Sequence, residues 1–403
     1  MTSETVYLNA ICEQLTVGHV GVTSEYYCDS SVGVPFIRTQ NVTSAGFNDE
    51  DIKFITPEFH ASLKKTQLRG NDVLLSRVVV DEMRCAIVPE NYGDANCANV
   101  ILIRPGPKLL PEYLVYLIQS PQSQKYLLGK RKGAAQQVVN TGILKSWKIN
   151  TPSIEIQKKI VKKLDAIFAE IDKAIAATEA NIKNAEALFQ SYLNQVFEEN
   201  FSNKKKLKDC CHIKPPKSEA KALNPDDEVS FMPMEALGIN EKFAIPNQVR
   251  KLSDVSGSYT YFAEGDVLLA KITPCFENGK LGIAKDLING VGFGSSEYIV
   301  FRPGIELDSS WLYYFLNRSE FRNNGAKHMS GAVGHKRVTK EFIEDLVIPL
   351  PTILRQSEII SEIENISNIT NFLKSSNSHK LIELNQLKQS ILNQAFNNEL
   401  VKE

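Results

Sequence analysis

Between Ile154 and Phe197 the chain alternates apolar and polar residues at a helical period and contains neither Pro nor Gly. One apolar column falls at Phe168, Ile175, Ile182, Phe189 and Val196, each seven residues after the last. A second falls at Leu164, Ile171, Thr178, Ala185 and Tyr192. Columns three and four apart, repeated every seven residues, form the a/d seam of a coiled coil. At 1.5 Å per residue the predicted helix is roughly 60 Å long. That exceeds what a small domain needs to cover its own core, so the pattern predicts a spacer in mid-chain.

The pattern recurs at the C-terminus. Ser191–Phe197 reads SYLNQVF and Ser390–Phe396 reads SILNQAF, an offset of 390 − 191 = 199. Pro152 and Gln157 map at that offset onto Pro351 and Gln356. With small slips it extends upstream: Ile103–Gly106 matches Phe301–Gly304, Asp72–Leu75 matches Asp266–Leu269, and Gly133-Ala134 matches Gly331-Ala332. The chain is therefore a duplication of a globular unit followed by a long helix, with a period too long for a solenoid. The second seam runs Ile359, Ile363, Ile366, Thr370, Leu373, Leu384, Leu387 and Ile391. Asn377 and Lys380 fall on it, which predicts a break or a local loosening near Ser375–His379. If the second helix returns along the first, the two pack antiparallel about a pseudo-twofold axis; the alternative is that each packs on its own unit. The wide apolar stripe favours the paired arrangement.

Shorter periodicities fill in each unit. Val34–Val42 reads as a strand entering a loop, and Asp72–Val80, Arg84–Val88 and Asn99–Ile103 read as strands. Pro111–Leu128 reads as helix, split before Pro121. Trp147–Pro152 is a short strand leading into the long helix. The second unit repeats this with Phe231–Glu235, Asp266–Ile272, Tyr298–Phe301, a helix from Trp311, and Leu346–Pro351. The expected fold is α+β: two similar domains of mixed β-sheet with short helices, at 1–152 and 200–350, separated by antiparallel spacer helices at 153–199 and 351–403.

Composition changes this picture little. Apolar residues at 43% and charged residues at 23% are ordinary for a globular protein. No apolar run reaches the ~20 residues of a membrane helix, and the first residues lack the pattern of a signal peptide. Seven scattered cysteines read as reduced thiols in a cytoplasmic protein. A net charge of −1 argues neither for nor against nucleic acid.

The chain carries few signs of catalysis. No two of its six histidines pair at metal-ligand spacing. Cys210-Cys211-His212 is a dense cluster, but adjacent residues rarely share one metal and no second pair follows, so no metal site is expected. There is no phosphate-loop motif, and Gly290–Gly294 precedes a strand where a dinucleotide loop needs a helix, so it reads as a turn. No Asn/Asp-Pro-Pro-aromatic segment of an amino-methyltransferase is present. Pro225-Asp226 with Glu277–Lys280 has the wrong spacing for a nuclease.

Two basic, glycine-containing loops at matched positions remain. Lys130–Gln137 contributes Lys130, Arg131, Lys132, Gln136 and Gln137, and Ser330–Arg337 contributes His335, Lys336 and Arg337. Cations suit phosphates, and Arg, Lys and Gln suit base edges. A single such loop is equally well a helix cap; the repetition favours binding. Arg77 and Lys271 occupy equivalent places in matched strands, where a salt bridge and a DNA contact fit equally. Arg38 and Gln40, with Asn41, fit a surface loop slightly better than DNA readout.

The duplicated plan, the Pro-x4-Gln helix starts at Pro152/Gln157 and Pro351/Gln356, the Gly265–Leu269 strand and the Gly-Ala loops together resemble the specificity subunit of type I restriction-modification enzymes, over essentially the whole chain. The first unit departs from the pattern, with Gly70-Asn71-Asp72 read as carrying one inserted residue. The resemblance implies that each globular unit is a target recognition domain reading one half of a split site in double-stranded DNA. It implies that the coiled coil sets the gap and docks two methyltransferase subunits, and that endonuclease/translocase subunits join them. This chain would be non-catalytic and bind no cofactor, with S-adenosylmethionine, ATP and Mg on the partners. Two other readings stay open: an enzyme in its own right, and a coiled-coil scaffold that does not touch DNA.

Overall fold

The computed structural model describes residues 4–78, 81–131, 138–199, 201–332 and 334–397. The chain divides into two compact units: residues Met1–Thr178 with His379–Glu403, and residues Glu179–Ser378.

In the first unit, Cys12–Val17, Val100–Pro105, Val73–Ser76 and Cys85–Ile87 form a sheet in that order, all neighbours antiparallel. A second sheet of Lys53–Ile55, Val34–Ile37 and Asn96–Cys97 is mixed, its last pair parallel. Alternate strand residues face opposite sides, and here both sides are covered. Val73 and Leu75 share a core with the helices Pro111–Gln119 and Pro121–Gly129, whereas Leu74 packs with Ile37, Ala86 and Leu102. All four residues of Val73–Ser76 are therefore buried, which explains the strand's unbroken apolar run.

The second unit repeats the order. Cys211–Ile213, Tyr298–Pro303, Val267–Ala270 and Leu281–Ala284 are extended by Phe243–Ala244, and Gln248–Lys251, Glu228–Met232, Val291–Gly294 and Thr260–Ala263 form the mixed sheet. Val267 and Leu269 pack on Trp311, while Leu268 and Ala270 meet Met232 and Phe262. The glycines of Gly290–Gly294, expected to make a turn, instead lie mostly in a buried strand. Gly292 is needed because a Cβ there would come within 2.1 Å of the Phe262 ring.

The inserted residue expected in the first unit is not an insertion. Asn71 has φ of 70° where Gly265 has 81°, so Asn71 is the counterpart of Gly265. Asparagine is the non-glycine residue that best tolerates this left-handed conformation.

Each long helix starts at a buried glutamine. Gln157 donates to the carbonyls of Pro152 and Lys108, at 2.8 and 2.9 Å, and accepts from the Leu110 N–H at 2.9 Å. Gln356 repeats this with Pro351, Glu306 and Asp308, and both side chains are fully enclosed. One amide thus ties the start of a helix to the loop before a shorter one and pairs three backbone groups there. Strand pairs close each unit beside it: Glu4–Tyr7 with Lys148–Thr151, and Lys204–Lys206 with Val347–Pro349.

The helices are Ile154–Glu198 and Ile353–Phe396. In the first unit their segments run antiparallel: Ile160 lies beside Ala395 and Phe396, while Asp172 pairs with Lys388. In the second unit Glu186 faces Lys374 and Tyr192 faces Glu362, again antiparallel. The break expected at Ser375–His379 is absent. Asn377 and Ser378 bond back to the carbonyls of Leu373 and Lys374 at 2.7 and 2.9 Å, so their polar groups are satisfied without leaving the helix. The expected seam also loosens, since Leu373 and Leu387 are 41% and 46% exposed.

Candidate nucleic-acid interface

A buried ion pair sets the strands of each unit. In the second unit Arg302 donates from Nε and Nη2 to Asp266, both at 2.8 Å. It also reaches Glu219, which accepts from the Tyr261 hydroxyl at 3.1 Å. The Arg302 hydrogen bond holds the Glu219 carboxyl below its ordinary range. In the first unit Arg104 grips Asp72 in the same two-pronged way.

Beside this brace the second unit opens a cleft of about 640 Å³. Lys214, Lys217, Lys271, Arg337 and Lys340 line it, with Tyr259 among the aromatic residues and Glu344 as the lining carboxylate. Its floor is made by chain pairing. The strand Val267–Ala270 continues into Lys271 and Ile272, and the Val338 N–H donates to the Lys271 carbonyl at 3.0 Å while the Thr273 N–H donates to that of Lys336 at 2.9 Å. The basic loop is thereby laid against the strand end, and three sequence-predicted residues, Lys271, Lys336 and Arg337, come together.

These cations differ in their partners. Arg337 forms a bidentate pair with Glu297, Nε–Oε2 2.9 Å and Nη2–Oε1 2.8 Å. Lys271 lies 3.9 Å from the same carboxylate and donates to the Ser296 carbonyl at 3.0 Å. The Arg337 hydrogen bond, with Lys271 nearby, pulls the Glu297 carboxyl below its usual value. Lys217 donates to the carbonyls of Ser256 and Gly257, and Lys340 lies 3.2 Å from Glu344. Lys336 and His335 are exposed; the His335 carbonyl accepts from Arg337 at 3.0 Å. A concave, cation-rich surface with an accessible tyrosine can take a phosphate backbone and stack or hydrogen-bond a base.

The first unit uses the same pairing, with a bridge between Val78 and Val138 and the Val139 N–H donating to the Arg77 carbonyl at 3.1 Å. Arg77 thus occupies the place of Lys271, its Nε enclosed without a hydrogen-bond partner among the described residues. Lys130 lies 5.0 Å over the Tyr126 ring, and Arg131 donates to the Leu128 carbonyl at 2.8 Å, which is a helix-capping arrangement. Lys132, Gln136 and Gln137 lie outside the described residues. Arg38 and Gln40 converge elsewhere, on Asp51: Arg38 reaches its carbonyl at 3.1 Å and Gln40 its carboxylate at 2.9 Å. Asn41 is buried and ties the same loop through Asn48 and Glu50.

Sequence reasoning missed Glu297, Lys214, Lys217, Lys340 and Tyr259. None stands in a motif; only the folded chain gathers them. The thiols of Cys210 and Cys211 are buried. Among the described residues no helix is long and apolar enough to cross a membrane.

Comparison with known proteins matches the type I restriction modification DNA specificity domain at residues 8–183 and 199–385. The EcoEI specificity subunit of Escherichia coli is 33% identical over 183 residues, 43% of this chain and 31% of that protein. The EcoAI specificity subunit of Escherichia coli is 32% identical over 44% of this chain and 30% of its own length. These alignments span only about a third of each relative. A specificity subunit of a putative type I enzyme, MjaX, from Methanocaldococcus jannaschii aligns over 87% of this chain and 84% of its own at 23% identity. A solved chain from work on complex assembly and conformational transition of the type I R-M system superposes with TM-score 0.73 and 19% identity, covering 98% of this chain and 97% of that one. The HsdS subunit of Thermoanaerobacter tengcongensis gives 0.51 at the same identity, with coverage of 98% and 97%.

Proposed function

We propose, because the chain belongs to the type I restriction modification DNA specificity family, that it is the sequence-reading subunit of a type I restriction-modification complex acting in the cytoplasm. Each globular unit reads one half of a bipartite, asymmetric site in double-stranded DNA. The observation that carries this is the duplicated strand-and-loop pairing, which puts Lys271 and Arg337 on a basic cleft in the second unit, with Lys336 exposed in the same loop, and Arg77 at the matched place in the first. The same scaffold bears different side chains at these places, as an asymmetric site requires.

The chain supplies recognition, and partner subunits supply chemistry. Two methyltransferase subunits bring S-adenosylmethionine, and restriction subunits bring ATP and Mg. The long helices support docking: Phe372 is 72% exposed and Leu188 59%, more apolar surface than a solvated helix needs. Their continuity supports a role in fixing the gap between half-sites.

The test is co-expression with a methyltransferase subunit from the same genome, followed by mapping of methylated adenines. A two-part motif with a fixed gap, lost when this chain is omitted, is expected. A stable complex that methylates nothing would favour a scaffold that does not touch DNA. Methylation by this chain alone would assign it an active site of its own.

A further inference from the structure

Two cations of the basic cleft, Arg337 and Lys271, already hold a competitor for phosphate. Glu297 sits just before the strand Tyr298–Pro303, where the Lys271 N–H holds its carbonyl at 3.0 Å. Its carboxylate spans Nε and Nη2 of the Arg337 guanidinium and lies within 3.9 Å of Lys271. Planar, two-pronged recognition of this kind is what a guanidinium offers to phosphate as well. Two of the five cations lining the cleft are thus matched to one internal anion.

We propose that Glu297 is an affinity-limiting residue: an internal phosphate mimic that occupies Arg337 and Lys271 until a DNA backbone seated in the cleft displaces it. This rests on the reading of the cleft as a DNA seat. The pair is partly exposed, Arg337 by 44% and Glu297 by 23%, so it exchanges for another anion at small cost. Phosphates of any sequence compete with Glu297 equally, which lowers affinity for all DNA. A half-site that also makes base contacts stays bound despite this penalty, whereas DNA held by phosphate contacts alone does not. The carboxylate therefore suppresses non-specific binding, which is driven by cation–phosphate contacts and by counterion release.

Glu297 is well suited to this role. Its pKa lies below the ordinary carboxylate value, so it stays charged throughout the neutral range. The pairing of its backbone with Lys271 runs from the Lys271 N–H to the Glu297 carbonyl and does not involve its carboxylate.

The test uses the full chain, a fluorescein-labelled duplex of arbitrary sequence, and anisotropy titrations from low to moderate salt. Glu297→Gln keeps the shape and one acceptor but removes the charge. It is expected to tighten arbitrary-sequence binding about three- to tenfold and to steepen the salt slope by about one to two, as freed cations find phosphates. Glu297→Asp retains the charge and is expected to stay near wild type. Lys336→Ala and Lys271→Ala serve as controls and should weaken binding. If they weaken it while Glu297→Gln leaves affinity and slope unchanged, the competitor role is wrong and the DNA seat stands. If neither control changes binding, the cleft is not a DNA seat and both readings fall. Weaker binding by Glu297→Gln would mean that the carboxylate merely braces the loop, and would also overturn the proposal.

Discussion

Asp72 and Arg104 lie 32 residues apart in the chain and meet in a two-pronged ion pair, Nε–Oδ1 2.8 Å and Nη2–Oδ2 2.7 Å. Asp72 is 1% exposed and also accepts the Arg69 N–H at 2.7 Å. Asp266 and Arg302 repeat the pair. The Asp-Val-Leu-Leu and Arg-Pro-Gly segments that reveal the duplication are therefore two halves of one contact.

Arg104→Ala leaves a buried carboxylate without its cation, which typically costs about 3–5 kcal/mol. Adding Asp72→Asn removes the stranded charge and should restore part of that loss. The two tryptophans, Trp147 and Trp311, fall one in each unit, so urea unfolding followed by fluorescence in a Trp311→Phe background reports on the first unit. A double variant no more stable than Arg104→Ala alone would show that the pair is not what holds these strands.

Gln157 joins three backbone groups in an enclosed site, so Gln157→Leu strands the Leu110 N–H and two carbonyls. Leaving buried polar groups unpaired costs about 1–3 kcal/mol each. Hydrogen exchange at Leu110 should accelerate, and Gln157→Glu should restore its protection only in part, because a carboxylate can accept from the Leu110 N–H but cannot donate to the carbonyls of Lys108 and Pro152. Unchanged protection at Leu110 would argue against the tie.

The fold was legible where one physical cause dominates. Heptad spacing marked both helices, Pro111 and Pro121 marked the starts of paired helices, and repeated peptides marked repeated strands. It was illegible where the cause is three-dimensional. Asn377 gives no sign in sequence that it will bond back on its own helix, and Asn71 looks like an insertion until its φ is known. For the candidate site, the repeat marked the basic loop at Arg337 and the strand position Lys271 separately, but not that they meet. It marked neither Glu297 nor Lys214, since isolated charged residues carry no spacing signal and become neighbours only through strand pairing.

Acid should loosen the second unit through Glu219. Its carboxyl is held below the ordinary 4.5, chiefly by the Arg302 hydrogen bond, so the folded state binds protons less readily than the unfolded chain. The stabilisation is complete above the unfolded value and disappears as pH falls through the lower folded value. The difference in Tm between wild type and Glu219→Gln should be constant from pH 8 to 6 and shrink below pH 4.5. The group is 39% exposed, so the difference is small. A difference that persists undiminished into strong acid would exclude charge as its origin.

If the long helices fix the gap between half-sites, shortening both in register must shorten the gap. Asp172 pairs with Lys388, which sets Ile171–Ala177 opposite Glu383–Gln389. Deleting both heptads keeps the apolar seam in phase on each helix and removes about 10 Å of rise. At 3.4 Å per base pair that is about three base pairs. Methylated-adenine mapping in the co-expressed complex should then return the same two half-sites with a correspondingly smaller gap. Deleting one heptad alone puts the facing seams out of register and should instead abolish methylation. The same half-sites at the original gap after the paired deletion would mean that the partners or the DNA, and not the helices, set the separation.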